Sequence, residues 1–337
     1  MNIIIPMAGI GKRLRPHTLT TAKPLLPIAG KPIVHRLVED IARVCQEKIE
    51  TIGFIIHPSF GKQVESDLVS VAESVGAKGK IFYQESALGI SHALLFAKEI
   101  ITGKVIIAFA DTLFKTDFKL DTTRDGIIWV QKVADPSQFG VVKVSGEGEI
   151  EALIEKPSEP VSNLAIIGIY FFKDGDFLKR EMQYLIDHDI KEKGEYQFTT
   201  ALEIMNKKGA KFIPAQVDEW LDCGNKDAMI NTNQRYLEFI KDQSLVSKTA
   251  KLINTTIVPP VFIGENVSIV NSIIGPHVSV GAYTNIRDAK IENSIIQQNC
   301  SIQNAVLSNG MLGNFVNFEG KSEDLSLGDY SYIKSAH

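Results

Sequence analysis

From about Lys251 onward the chain carries the pattern that most narrows its fold. Ile257, Ile263 and Ile269 fall six residues apart. Ile274, Val280 and Ile286 resume the period after a slip of one, and Ile296 and Ile302 repeat it. Glycines follow several of these positions, at Gly264, Gly275 and Gly281, and small or polar residues fill the rest. A six-residue apolar period with glycine predicts a β-solenoid, in which each leg supplies one inward aliphatic side chain and stacked coils bury them as a column. The competing reading is a set of ordinary short strands in a sandwich; recurrence over so many legs favours the solenoid. About four coils fit, and Val306 to Tyr332 reads as a poorly patterned end.

The preceding two-thirds of the chain has a different texture. Asn2–Pro6, Thr51–Ile56, Lys80–Tyr83 and Lys104–Ala110 are short apolar runs suited to buried strands. Between them, Ile33, Leu37, Ile41 and Val44 lie on one helical face, with Pro32 suited to the first turn. Val64, Leu68, Val71 and Val75 form a second such face, and Gly89–Glu99 reads as a third helix. Apolar strands alternating with helices predict an α/β domain with a mainly parallel sheet. Gly126–Phe172 is strand-rich, consistent with an added antiparallel segment, and Asn225–Ile240 reads as a long closing helix. The division expected is a domain over residues 1–245 and a solenoid over 252–337.

Bulk properties exclude several classes. A net charge of -4 argues against a general nucleic-acid surface. The three cysteines, Cys45, Cys223 and Cys300, are scattered, which fits neither a disulfide framework nor a zinc cluster. They suit a reduced, cytoplasmic setting. No signal peptide is indicated, and runs such as Ile166–Phe172 are too short to span a bilayer. The histidines (His17, His35, His57, His92, His188, His277, His337) show no metal-ligand spacing and read as surface or packing residues.

One stretch carries chemistry. Met7–Arg15, M-A-G-I-G-K-R-L-R, follows a strand directly. Gly9 and Gly11 allow a sharp turn that presents backbone N–H groups, including that of Ala8, to an anion. Lys12 and Arg13 add charge, and Lys23 follows in T-A-K-P-L-L-P-I. Leu14 stands where a dinucleotide-binding loop has its third glycine, and Arg13 follows Lys12 where a P-loop has Ser or Thr. By spacing alone the stretch is either a phosphate site or a tight turn.

The run GIGKRLRPHTLTTAKPLLPIAGKPI, from Gly9 to Ile33, resembles the opening of the sugar-nucleotide pyrophosphorylases, the sugar-phosphate nucleotidyltransferase family. Further matches follow in order: QESALG at Gln84–Gly89, FADT at Phe109–Thr112, DPSQFGVV at Asp135–Val142, EKP at Glu155–Pro157, SNLAIIGIYFF at Ser162–Phe172 and WLDCG at Trp220–Gly224. The resemblance covers residues 1 to about 240 and lies nearest the glucose-1-phosphate thymidylyltransferase subgroup, in a family where a hexapeptide-repeat tail is common. It implies a Rossmann-like mixed, mainly parallel sheet flanked by helices, followed by a short left-handed β-helix. It implies transfer of a nucleotidyl group from an NTP, with dTTP favoured, to a sugar 1-phosphate, with Mg²⁺ and release of pyrophosphate.

The same resemblance assigns roles. Arg13 would hold the β- and γ-phosphates, and Lys23 the α-phosphate region. Ala8, Gly9, Gly11, Lys12, Gln84 and Gly89 would complete the nucleotide site, with the Gln84 amide on the base edge and Gly89 leaving room beside the base. Lys156 would bind the sugar phosphate, and Gly140, Glu155, Tyr170 and Glu195 would line the sugar pocket. Asp111, at the end of a strand where α/β sheets bind ligands, and Asp222 would hold Mg²⁺, which favours few carboxylates plus substrate oxygens. The chain departs from the family pattern at Ala8 (usually Gly), Lys12 (usually Thr) and Thr112 (Asn in several relatives). Other readings are UTP, GTP or CTP as donor, a bifunctional enzyme with an acyltransferase tail, and a non-catalytic regulatory relative. The solenoid's flat faces and open ends point to self-association as a homo-oligomer.

Overall fold

The computed structural model describes residues 1–157, 159 and 161–334, so His337 lies outside the described residues. Contacts divide the chain into two units, one of residues 1–9 and 37–220, the other of residues 10–36 and 221 onward. The segment 10–36 therefore belongs with the C-terminal coils, although in sequence it sits inside the α/β pattern.

The first unit is built on a nine-stranded sheet. Its centre is parallel: Asn2–Pro6 lies between Thr51–Ile56 and Val105–Ala108, and Lys78–Tyr83 extends it beyond Thr51–Ile56. Ile3, Ile4 and Ile5 are all fully buried, because a central strand covered on both faces has no polar side. Leu164–Phe172 then runs antiparallel against Val105–Ala108 and Gly126–Lys132, and Ile150–Glu155 antiparallel against Gly140–Val144. Phe212–Gln216 adds a parallel edge beside Gly126–Lys132. The mixed, mainly parallel expectation and the antiparallel addition both hold.

The described residues form six helices over the two units: α1 (Ile33–Val44), α2 (Gly61–Ser74), α3 (Ile90–Leu95), α4 (Gly175–Asp187), α5 (Phe198–Lys207) and α6 (Lys226–Phe239). Helix α1 buries Ile33, Leu37, Ile41 and Val44, the face its spacing marked. Helix α3 is shorter than its pattern suggested. Phe96, Ala97 and Lys98 donate to Ala93, Leu94 and Leu95, so the chain tightens into three-residue turns before Glu99. Helices α4 and α5 carried a period that sequence inspection passed over. In α4, Leu178, Glu181, Met182 and Leu185 are buried at helical spacing, and Asp174 caps the start by accepting from Phe177 N at 2.9 Å.

The second unit contains α6, capped by Asn225 Oδ1 accepting from Ala228 N at 3.0 Å, and the stacked coils. Every strand pair in the coils is parallel, as a solenoid requires. One column reads Ile263, Val280, Ile296, Leu312, Leu327; another reads Ile269, Ile286, Ile302, Phe318, Ile333. The coil thus shortens along the axis, from 17 residues at Ile263–Val280 to 15 at Leu312–Leu327. That shortening explains why the end looked poorly patterned: Leu307 and Leu312 follow Ile302 at five-residue steps before Phe318 resumes the period of six.

Corners between legs place Asn254, Asn271, Asp288 and Asn304 in left-handed backbone conformation. Asn and Asp tolerate that region because their short polar side chains bond locally. Here they bond up the stack, Asn254 Nδ2 to Asn271 Oδ1 at 2.9 Å and Asn271 Nδ2 to Asp288 Oδ1 at 3.0 Å.

Candidate nucleotide and sugar-phosphate site

In the second unit the candidate phosphate-binding segment has almost no regular structure. Apart from a two-residue hairpin at Pro27–Pro32, it is three single 3₁₀ turns: Lys12–Leu14, His17–Leu19 and Lys23–Leu25. Gly11 introduces the first with φ 64°, a conformation that L side chains adopt only under strain. A Cβ there would also lie 3.0 Å from Lys23 Cβ and 3.1 Å from Thr18 Cγ2. Glycine is thus what lets the turns of Lys12, Thr18 and Lys23 meet. Thr18 Oγ1 donates to Gly11 O at 2.8 Å, and Leu14 N donates to the same oxygen at 3.0 Å.

Lys12 and Arg13 are exposed, while Lys23 is buried with its turn preset by Pro24. Asp222 belongs to the same unit and comes to Arg13 over Gly224. A Cβ on Gly224 would lie 2.9 Å from Asp222 Oδ2 and 3.4 Å from Arg13 Nη2. A carboxylate and a guanidinium meeting over a bare backbone can hold a metal-bound polyphosphate, the acid facing the cation and the base facing oxygen.

In the first unit, Ala8 and Gly9 follow strand Asn2–Pro6, with Met7 N still donating to Ile55 O at 2.8 Å. Gln84 leaves the edge strand Lys78–Tyr83, its N–H on Ile56 O at 2.9 Å, and its Nε2 donates to Ser86 O at 2.9 Å. Gly89 has φ 113°, and a Cβ there would fall 2.6 Å from Tyr196 N and O. The Cβ direction is taken by that backbone, which is what requires a glycine here. Tyr196 N donates to Leu88 O and Ser91 N to Tyr196 O, tying the loop to the segment that carries Glu195.

Glu155 and Gly140 are paired across adjacent strands, and a Cβ on Gly140 would lie 3.1 Å from Glu155 Oε2. Burial pushes the Glu155 carboxyl up from its ordinary range; Lys156 pulls against this, while Glu192 adds to it. Lys156 Nζ stands 4.0 Å from Glu155 Oε1, and Lys156 holds a left-handed φ of 46°. Such strain in a non-glycine residue is characteristic of ligand sites. Tyr170 is buried against Phe109, Phe172 and Phe198, and burial drives its hydroxyl far above its usual range. Asp111 follows strand Val105–Ala108 at the sheet's carboxyl edge, half-buried, beside Thr112, whose Oγ1 donates to Ile167 O at 2.7 Å.

Sequence inspection missed Lys193. Residues Glu192–Glu195 form a tight hairpin turn, with Glu192 N on Glu195 O and both central residues at positive φ, 53° and 84°. The turn brings Lys193 Nζ to 3.4 Å from Glu155 O and 3.5 Å from Lys156 O. A Lys-Gly pair between two glutamates carried the turn chemistry, but nothing local told which segment it faced. His277 proves a packing residue, its Nε2 2.8 Å from Glu238 Oε1. Among the described residues no group of three or more His, Cys, Asp or Glu side chains gathers into a metal cage.

The family model described as nucleotidyl transferase matches residues 2–238. A glucose-1-phosphate thymidylyltransferase of Streptomyces antibioticus is 30% identical over 320 residues, covering 88% of this chain and 87% of that protein. The low-salt glycan biosynthesis nucleotidyltransferase Agl11 of Haloferax volcanii is 28% identical across 99% of this chain and 100% of its own length. A crystal structure of a UDP-glucose pyrophosphorylase complexed with UDP-glucose is 25% identical and superimposes with TM-score 0.57, over 71% of this chain and 98% of that one. The ordered motifs, the sheet and these likenesses agree that this chain belongs to the nucleotidyl transferase family of enzymes.

Proposed function

We propose that the protein transfers a thymidylyl group from dTTP to glucose 1-phosphate, yielding the nucleotide sugar and pyrophosphate. The observation that carries the reading is the meeting of Arg13 and Asp222 over the bare backbone of Gly224, with Lys23 packed on Gly11. The choice of base and sugar rests on the named relatives that match along most of the chain. The attacking sugar phosphate is already an anion, so the reaction needs no protein base. Its obstacle is repulsion: two unit charges about 4 Å apart cost about 4 kcal/mol at an effective dielectric of about 20. Catalysis is then charge neutralisation and in-line placement.

In this reading Arg13 and Lys12 hold the β- and γ-phosphates with the N–H groups of Ala8, Gly9 and Gly11, and Lys23 faces the α-phosphate. Gln84 pairs with the base edge. Lys156, joined by Lys193, neutralises the sugar phosphate, while Gly140, Glu155, Tyr170 and Glu195 shape the sugar side. Mg²⁺ would be held by Asp111 and Asp222 together with phosphate oxygens. A donor set of only two carboxylates fits a cation that arrives with its nucleotide, and the ion would supply neutralisation of triphosphate charge. We further read the open coil ends, where Leu252, Ile253, Tyr332 and Ile333 are exposed, as self-association surfaces. Three cysteines scattered along the chain suit a reducing cytoplasm.

The test is a matrix of dTTP, UTP, GTP and CTP against several sugar 1-phosphates, read by pyrophosphate release with Mg²⁺ and after chelation. The expected maximum is dTTP with glucose 1-phosphate, lost on chelation. Turnover with another pair relocates the substrate within the family, and no release with any pair supports a non-catalytic relative.

A further inference from the structure

The segment that would hold the triphosphate cannot shape itself. Single 3₁₀ turns are weakly bonded and leave most backbone torsions unrestrained by any ladder, so the ordering must come from what they pack against. Inside the second unit, that is the solenoid, at two separate places.

The first anchor is the turn His17–Leu19. His17 Nε2 lies 3.1 Å from Ser326 Oγ, and Thr20 Oγ1 donates to Asp329 Oδ2 at 2.9 Å. Pro16 sits on Gly328, where an added Cβ would fall 2.9 Å from Pro16 Cβ. The intervening residue, Thr18, is the one that bonds the Gly11 carbonyl. The same short stretch therefore grips the coil through His17 and Thr20 and the glycine loop through Thr18. An open cleft of about 240 Å³, bordered by Leu19, Thr20, Ser326 and Ser331, remains at this junction. The grip is thus a few directional contacts rather than dry packing.

The second anchor is the hairpin just after Lys23. Asn233 of α6 accepts from Ala29 N at 2.9 Å and from Ser279 Oγ of the coils at 2.7 Å. Phe262 fills the space over Gly30, where a Cβ would lie 2.2 Å from its Cζ. Arg36 Nη2 locks the same bend by donating to Ala29 O at 2.7 Å. Lys23 is flanked in sequence by the two anchors, while Lys12 and Arg13 are exposed.

We propose that the solenoid is the template that fixes the triphosphate-binding segment, and that Ser326, Asp329, Phe262 and Ser279 are positioning residues for the NTP. This rests on the reading of residues 10–36 as the triphosphate half of the site. A carrier of charge held to within a fraction of an ångström is what electrostatic catalysis requires, and here the precision comes from coils far away in sequence.

The test uses the full chain with Thr20→Val and Ser326→Ala combined, Phe262→Ala separately, and Asn304→Gly as a solenoid change away from both anchors. Two readouts are needed: steady-state constants for each substrate, and hydrogen exchange of the Leu14, Leu25 and Leu26 amides. The expected result is a KM for the NTP raised about 5- to 10-fold, with the sugar 1-phosphate KM within about twofold, faster exchange at those amides and an unaltered Asn304→Gly control. Unchanged exchange with unchanged NTP KM overturns the proposal. A parallel rise in both substrates' KM values together with a lowered thermal midpoint also overturns it, since that is general destabilisation. If the unsubstituted protein releases no pyrophosphate with any pair, the functional reading fails, and the exchange arm alone still decides the template.

Discussion

At the scale of single residues the family motifs nominate side chains, and the geometry says what each can be asked to do. Asp111→Asn keeps shape and removes charge, so we expect pyrophosphate release to fall by at least about 100-fold, with the thermal midpoint unchanged. Gly140→Ala places a methyl within 3.1 Å of Glu155 Oε2. We expect the sugar 1-phosphate KM to rise roughly tenfold while the NTP KM holds, because displacing one contact misplaces only the substrate it faces. His17 gives a pH prediction. Burial lowers it to about 4 from an ordinary value of 6.5, with Asp329 pulling the other way. It is neutral in the fold and takes up a proton more readily when unfolded. Its contribution is therefore intact above pH 6.5, erodes as pH falls, and by about pH 4 amounts to a loss of roughly 3 kcal/mol. Denaturant melts of His17→Phe should show a flatter acid limb across that window; an identical limb would remove His17 as its source.

At the scale of elements, the strands and the coils were legible because burial writes a period into sequence. Ile3–Ile5 and the column Ile263, Val280, Ile296 are apolar for the same reason: no water reaches either side of a central strand or the bore of a stack. Two failures are equally physical. Helix α3 ends early through competing three-residue bonds, which leave the apolar spacing intact. The last coils shorten to 15 residues, which spoils the six-residue count without uncovering the core. Corner asparagines are a second signature, since they hold left-handed backbone and link successive coils. Asn271→Ala should cost about 1–2 kcal/mol by denaturant unfolding. Asn271→Gly should cost less, because glycine keeps the backbone and loses only the bond. Equal costs would mean that the ladder, and not the torsion, carries the corner.

At the scale of the whole molecule, residues 10–36 share their contacts with α6 and the coils rather than with the strand they follow. A cooperative unit opens together. Native-state hydrogen exchange should therefore give the Leu25 and Leu26 amides an opening free energy near that of Val278–Val280, and unlike that of Ile3–Ile5. Matching values for Leu26 and Ile4 instead would show that the chain opens by sequence neighbourhood. The sequence by itself determined the α/β class, the solenoid and the family, because periodic burial and motif order are local properties of the chain. Only the tertiary structure decided that Lys193 joins Glu155 and Lys156 and that Gly89 meets the backbone of Tyr196. It also decided that Ser326 and Asp329 grip a turn some three hundred residues earlier. Those pairings depend on which surfaces meet once the cores have formed, and no period along the chain records that.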